Sequence, residues 1–334
     1  MPTVSVIVPC FNEESTITQL LSAITQQDYP LNEIEVIVAD GMSTDSTRKR
    51  IADHQTNHPG LSLKIIDNPT RRIPAGLNRA LAAAQGTYIV RLDAHSLPRP
   101  DYITRCLAAL DAGRGWNVGG VWDIQPGGPG WIAASIAAAA AHPLGVGDAL
   151  YRISSQAGPV DTVPFGAFMK ELVSKIGTFN ETLHSNEDYE FNTRIRQAGG
   201  TVWLDPGIRS IYFARRSLGD LARQYARYGF WKWKMLRRYP QSLRWRQAIP
   251  PLFALSCLLL PMAGLVWPVL HTVFLVEVVS YVALLLGAAL LIALEQKRIS
   301  LLVGVPLAMA TMHLSWGLAF LWSLLTSMKP KREA

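Results

Sequence analysis

The chain has 334 residues, 49% of them hydrophobic and 17% charged, with a formal net charge of +7. That length suits one large domain with an accessory region. Its three cysteines, Cys10, Cys106 and Cys257, are too few and too scattered for a disulfide framework or a zinc site, and read as buried reduced thiols. The average conceals two compositions. Up to about residue 215, charges and Gly/Pro punctuation are mixed among apolar runs, whereas from Ile249 to Leu325 only Glu277, Glu295, Lys297 and Arg298 are charged.

Val4–Pro9 and Ile34–Ala39 are short β-branched runs of the kind that form buried parallel strands. No signal peptide precedes the first of them, so the domain is expected in the cytoplasm. Between them, residues 13–26 place Ile17, Leu20, Leu21 and Ile24 at helical spacing. Thr44 or Asp45 can cap a second helix, residues 61–66 form a third strand, residues 73–84 a helix, and residues 88–92 a fourth strand that ends at Asp93. This alternation predicts a doubly wound, mostly parallel sheet. Ligands of such sheets lie at the carboxyl ends of the strands. Asn12, Asp40 and Asp93 each follow a strand end and can converge on one cleft.

The pattern then loosens. Residues 113–122 contain a strand, Gly127–Gly130 is a turn, residues 131–141 are an Ala-rich helix, and residues 145–159 read as a mobile loop. A helix begins at Asn186-Glu-Asp-Tyr-Glu-Phe-Asn192 and stops at Gly199-Gly200. Residues 201–204 and 208–213 read as two edge strands.

Residues 209–246 concentrate the positive charge: Arg209, Arg215, Arg216, Arg223, Arg227, Lys232, Lys234, Arg237, Arg238, Arg244 and Arg246 against the single acid Asp220. Interleaved are Tyr225, Tyr228, Phe230, Trp231, Trp233, Tyr239 and Trp245. Basic-aromatic mixing can mark nucleic-acid binding. Its position directly before an apolar block points instead to an anionic membrane surface, with Trp and Tyr at headgroup level and no nucleic-acid polymer as partner. Residues 249–267, 272–294 and 300–325 suggest three spans. The chain is thus expected as residues 1–215 catalytic, 216–248 basic and interfacial, and 249–328 a transmembrane anchor. The basic segment and the Glu295–Arg298 loop both prefer the cytoplasmic side; so does the tail Lys329–Arg332, which three full crossings forbid.

The fourth strand delivers Asp93-Ala-His95. Alternate residues of an extended segment share a face, so both side chains can reach one divalent cation completed by phosphate oxygens. Taken alone, the same pair also suits a turn with a capping Asp.

Five motifs in order change its weight. Val6-Ile-Val-Pro-Cys-Phe-Asn-Glu13, Val38-Ala-Asp-Gly-Met-Ser-Thr-Asp45, Gly76-Leu-Asn78 with Ala84-Gln-Gly86, Arg91-Leu-Asp93 and Asn186-Glu-Asp188 resemble those of the family 2 glycosyltransferases, over roughly residues 3–240. Asp-Ala-His, Val160-Asp-Thr-Val163 and Phe213-Ala-Arg-Arg-Ser-Leu218 look most like the ExoA type, the exopolysaccharide glucosyltransferases. The resemblance implies a GT-A fold, Rossmann-like with a mostly parallel sheet, followed by C-terminal transmembrane helices. It implies inverting transfer of a sugar, glucose from UDP-glucose, to a polyprenyl-diphosphate-linked saccharide at the cytoplasmic face of the inner membrane. Direct transfer to polyprenyl phosphate and processive polysaccharide synthesis are the alternatives.

Carried over by position, Pro9, Asn12 and Glu13 border the nucleotide pocket, Asp40 holds the base or ribose, Asn78 belongs to the donor side, and Asp93 holds the metal-bound diphosphate. Arg71 reaches the diphosphate or stays solvated. His95 departs from the common D-x-D, and its imidazole favours Mn2+ over Mg2+. Ala39 departs too, where relatives often carry a second acid. Asp188 is implied as the base and Glu187 as its neighbour on the acceptor side. Gln224-Tyr-Ala-Arg227-Tyr228 resembles the Gln-x-x-Arg-Trp motif, and i, i+3, i+4 spacing puts its three members on one helix face. Arg215 and Arg216 are candidates for a lipid diphosphate. A dinucleotide-dependent oxidoreductase needs G-x-G-x-x-G after the first strand, where this chain has Pro9-Cys-Phe-Asn-Glu13. A membrane scaffold without activity has no use for Asp40, Asp93 and Asp188 at element ends.

Overall fold

A computed structural model describes residues 2–327. The tail Lys329–Arg332, whose side of the membrane the charge pattern addresses, lies outside them, as does Met328 at the end of the expected anchor.

The elements of the first part are β1 (Val4–Cys10), α1 (Ile17–Thr25), β2 (Ile34–Asp40), α2 (Thr47–Asn57), β3 (Ser62–Asp67), α3 (Ile73–Ala83), β4 (Tyr88–Arg91), β5 (Leu97–Pro98) and α4 (Tyr102–Asp111). Then come β6 (Asn117–Gln125), α5 (Trp131–Ala140), α6 (Pro143–Val146), α7 (Leu150–Ile153), β7 (Gly158–Pro159), β8 (Ala167–Met169), α8 (Leu172–Ile176), α9 (Glu187–Gln197) and β9 (Val202–Phe213). The chain continues through α10 (Leu218–Leu236), α11 (Trp245–Gly264), α12 (Val269–Gln296) and α13 (Leu301–Ser327). Two compact units result. One comprises residues up to Asp123 together with Leu150–Tyr212, the other Ile124–Ala149 together with residues from Phe213 on.

The first unit is built on one sheet of order β3-β2-β1-β4-β8-β6-β9-β5, with β7 paired to β9. Strands β3, β2, β1 and β4 are parallel, while β8 joins β4 antiparallel. Alternation assigns the faces. Val4, Val6, Val8, Val36 and Val38 pack with α1 and α4, and Ile7, Ile37, Ala39 and Ile89 pack with α3 and α9. Because helices cover both faces, β1 and β2 are buried along their whole length, and only Ser5, Glu35 and Asp40 interrupt their apolar run. Odd-numbered residues of β4 therefore face α9.

The structure differs from the sequence reading in several places. β9 is one 12-residue strand that lies between β6 and β5, not two edge strands. Asp205 Oδ1 accepts the Gly207 amide at 2.8 Å, which carries the chain past Pro206, where the ladder lacks a donor. Residues 145–159, read as a loop, contain the ends of α6 and all of α7 and β7; Pro143 opens α6 beside the His142 ring, which accepts the Leu144 amide. Ser46 occupies the N-cap position of α2, and Asp45 Oδ1 accepts the Thr47 amide from one residue further out. Cys257 is half-buried, unlike Cys10 and Cys106.

In the second unit α11, α12 and α13 are long and apolar enough to cross a membrane. The first begins at Trp245, four residues before the expected start, and so encloses Pro250 and Pro251. Close helix contact here uses small residues: a Cβ on Gly229 of α10 would strike the Trp316 carbonyl of α13, and one on Gly317 the Pro250 carbonyl. Polar side chains of the apolar helices meet one another, as hydrocarbon surroundings require. Ser256 Oγ donates to Glu277 Oε1 at 2.7 Å, and the Tyr281 hydroxyl meets His313 Nδ1 at 2.9 Å.

Candidate active site

The loops that follow β1 and β2 are laced together. Asn12, held at φ 54°, donates its amide to Ser43 Oγ at 2.8 Å and accepts the Thr44 amide on Oδ1 at 2.9 Å. The Glu13 amide donates to Thr47 Oγ1 at 2.8 Å. Asp40, at the end of β2, is wholly buried: Oδ1 accepts the Ser43 hydroxyl at 2.5 Å, and Oδ2 the Ser43 amide at 3.0 Å and Arg48 Nε at 2.5 Å. The Arg48 guanidinium also reaches Asp67 at the end of β3. Asp40 thus organises the loop, and Asp67, with 61% of its side chain exposed, is the open carboxylate of that group. Pro9 lies inside β1, opposite Ala39. Arg71, at φ 56°, stands over the exposed Phe11 ring at 5.1 Å, beside Asn12.

Strand β4 and helix α9 supply the second half. Arg91 ends β4 and faces α9, Asp93 follows it, and His95 lies in the turn after Asp93. Nη1 of Arg91 donates to Asp188 Oδ2 at 2.6 Å and Nη2 to Glu187 Oε1 at 3.4 Å, and Nη2 forms an ion pair with Asp93 Oδ1 at 2.9 Å. Glu187 and Asp188 open α9, where the helix dipole favours acids. Asn186 before them takes φ 67°, a left-handed conformation that Asn tolerates better than most residues. The helix is fixed behind its acids. Asn192 Nδ2 donates to Thr162 Oγ1 at 2.9 Å, and Arg194 pairs with Glu190 and caps the carbonyls of Ile176, Gly177 and Thr178.

Burial pushes the Asp188 carboxyl up to about 7; the Arg91 guanidinium pulls it down, and Glu187 and Asp93 push it up further. A carboxylate with that affinity for a proton is matched to general-base work at neutral pH.

His95 Nδ1 meets Glu13 Oε1 at 3.0 Å, which sets the tautomer with the lone pair on Nε2. The donors on this side are therefore a carboxylate and an imidazole, both partly open to solvent. Among the described residues no three His, Cys, Asp or Glu side chains group as a metal site. Asp93 and His95 fit a cation that takes its remaining ligands from diphosphate oxygens, and do not fit a self-sufficient protein cage.

The other expected site residues make contacts of their own. Asn78 gives its amide to the segment before α9, donating to the Phe179 carbonyl at 2.9 Å and Glu181 Oε1 at 2.8 Å and accepting the Phe179 amide at 2.9 Å. In the second unit Gln224 Nε2 donates to the Tyr228 hydroxyl at 2.9 Å, and the Arg227 guanidinium lies over the Tyr228 ring at 5.9 Å. That face of α10 forms as its spacing predicts. Arg215 is half-buried and Arg216 exposed. The sequence reading gives Arg48 no role and names Arg91 only within the Arg91-Leu-Asp93 motif. A signal for Arg91 was present: an arginine inside an apolar strand, two residues before Asp93, points to the same face.

Residues 5–177 match glycosyl transferase family 2. The chain is 29% identical over 323 residues to the succinoglycan biosynthesis protein ExoA of Rhizobium meliloti, covering 96% of this chain and 94% of that protein. It is 27% identical over 249 residues to the dolichyl N-acetyl-alpha-D-glucosaminyl phosphate 3-beta-D-2,3-diacetamido-2,3-dideoxy-beta-D-glucuronosyltransferase of Methanococcus voltae, covering 72% and 76%. The mannosyltransferase PcManGT of Pyrobaculum calidifontis, solved with GDP-Man and Mn2+, superposes on 98% of this chain and 88% of its own with a TM-score of 0.64 at 22% identity, which fixes the fold as GT-A. With a family match across half its length and the sheet, strand ends and apolar helices just described, the chain belongs to glycosyl transferase family 2.

Proposed function

We propose that this enzyme transfers one sugar, glucose from UDP-glucose, with inversion to a polyprenyl-diphosphate-linked saccharide, in the assembly of an exopolysaccharide or cell-surface glycan. The observation that carries the reading is Asp188: a carboxylate raised to about 7, at the head of an anchored helix, joined through Arg91 to the donor-side Asp93. In the transfer Asp188 takes the proton of the acceptor hydroxyl, whose oxygen attacks the anomeric carbon. The bond from that carbon to the diphosphate breaks, and its electron pair leaves with the nucleotide. Asp93 and His95 would hold a divalent cation, Mn2+ or Mg2+, which would supply charge neutralisation of the departing diphosphate. Asn12, Glu13, Arg71 and the loop organised by Asp40 form the nucleotide side.

The similarity to a succinoglycan biosynthesis protein over nearly the whole chain supports the glycan class. The dolichyl phosphate named for the archaeal relative supports a lipid-linked acceptor, and the Mn2+ of the mannosyltransferase supports the cation. The basic residues 209–246 and the three apolar helices support a reading as a multi-pass protein on the cytoplasmic face of the membrane. Arg215, Arg216 and the Gln224–Arg227–Tyr228 face grip the acceptor's phosphates. Incubating the full-length enzyme with radiolabelled UDP-glucose, UDP-galactose, UDP-N-acetylglucosamine and GDP-mannose over a membrane lipid extract tests this. Label from UDP-glucose should enter the lipid fraction. Label from another donor alone would replace glucose, and label in none would remove the lipid acceptor.

A further inference from the structure

Arg91 touches both the base and the donor-side carboxylate. It ends the short central strand β4 with 5% of its side chain exposed. A buried guanidinium is costly unless its N–H groups are met; here Nη1 and Nη2 face the three acids of the site, while the buried Nε has no hydrogen-bond partner among the described residues. Nη1 holds Asp188 at 2.6 Å, and Nη2 holds Asp93 at 2.9 Å and Glu187 at 3.4 Å. Its charged carbon lies 5.4 Å from the centre of the Phe165 ring. Phe165 has φ 62°, a region a bulky residue enters only when its surroundings compel it. The next carbonyl, that of Gly166, accepts the Arg91 amide at 3.0 Å. Asn117, packed against Gly166, donates to Asn192 of α9 at 2.6 Å. The strand, the strained turn and the helix that carries Asp188 form one frame around this guanidinium.

A structural ion pair needs one carboxylate. The Arg91 fork holds two that belong to opposite halves of the reaction, and a planar fork fixes direction as well as charge, which an ammonium does not. We propose that Arg91 is the positioning residue of this centre: its guanidinium ties the base carboxylate of Asp188 to the donor-side carboxylate of Asp93 and sets the distance between the acceptor and donor halves. The assignment rests on the reading of Asp188 as the base.

Arg91→Lys keeps the charge and loses the fork. It is compared with wild type as full-length protein in detergent, using whichever of the four radiolabelled nucleotide sugars the wild type transfers to the lipid extract. The expected kcat falls about 100-fold, the effect of a misplaced reacting group. Donor KM, and the calorimetric affinity for UDP or GDP with Mn2+, stay within roughly threefold, and the melting temperature stays near wild type. The deciding arm is a cycle with Asp188→Asn. In that background Arg91→Lys should cost less than about threefold in residual turnover, because a residue that acts through Asp188 has nothing left to position. Losses that multiply would overturn the proposal while leaving Asp188 as the base. Nucleotide affinity and melting temperature that fall in step with kcat would make Arg91 a structural pair and also overturn it. Full turnover by Asp188→Asn alone would remove the base, and the proposal with it. If Arg91→Lys does not fold, the charge-balanced Arg91→Gln with Glu187→Gln takes its place in the same cycle.

Discussion

Two carboxylates a few residues from a strand or helix end do different work here because their surroundings differ. Asp40 is wholly buried with Ser43 and Arg48 on its oxygens, whereas desolvation, with Glu187 and Asp93 nearby, raises the half-buried Asp188 carboxyl to about 7 against the pull of Arg91. An acid must be ionised to accept a proton, so kcat/KM should rise with pH through neutrality and level off above it, falling as pH drops below about 7. A flat profile from pH 6 to 8 would take the base role from Asp188. Asp188→Asn should keep nucleotide affinity and lose about 10²–10⁴-fold in turnover; lost donor affinity with surviving kcat would make it a binding residue. Activity should vanish with EDTA and return best with Mn2+. Because Glu13 fixes the His95 ring, Glu13→Gln should raise the Mn2+ concentration for half activity about 10–100-fold, a titration that an unchanged midpoint would refute.

The elements place these groups through covered faces and close contacts. β4 is only four residues long, and its position depends on the turn before it. There the Gly86 amide donates to Ser5 Oγ at 2.8 Å, and Glu35 Oε1 accepts the Gln85 amide at 2.6 Å. A Cβ on Gly86 would come within 2.7 Å of the Ser5 backbone nitrogen in β1. Gly86→Ala should therefore destabilise the first unit by about 1–3 kcal/mol, the usual cost of overpacking. Thermal unfolding followed on the purified enzyme should show a melting temperature lower by roughly 2–10 °C; an unchanged value would mean that β1 and β4 yield without cost.

At the scale of the whole chain, a lipid acceptor must present its phosphates near the headgroups while its hydroxyl reaches Asp188. Arg215 and Arg216 stand in sequence between the last strand and the first apolar helix. Replacing both by Ala should raise the acceptor KM strongly and leave donor affinity nearly unchanged, read separately in detergent. A purely electrostatic membrane role is worth about 1 kcal/mol per Arg and disappears in detergent, so an unchanged acceptor KM would exclude these residues from the site. The division into units was only half visible beforehand. The change of composition near residue 215 falls close to the boundary at Tyr212. Nothing local marks Ile124–Ala149 as part of the second unit, because an Ala-rich helix such as α5 packs equally well on a sheet or on apolar helices.

Spacing within a few residues pointed to the first four strands and their helices, because side-chain direction follows from backbone geometry alone. Start and stop residues pointed to the acid-headed helix at residue 187, and the length of nearly uncharged runs to the three apolar helices. The ordered motifs determined the family. Tertiary structure alone decided that β9 is an internal strand, that Asp40 is enclosed by Ser43 and Arg48, and that Arg91 meets Asp188 across 97 positions of sequence. Such pairings depend on which elements the sheet order brings side by side, and on a desolvation that exists only once both faces are covered. The proton affinity of Asp188 is therefore a property of the fold and not of the Asn-Glu-Asp motif that carries it.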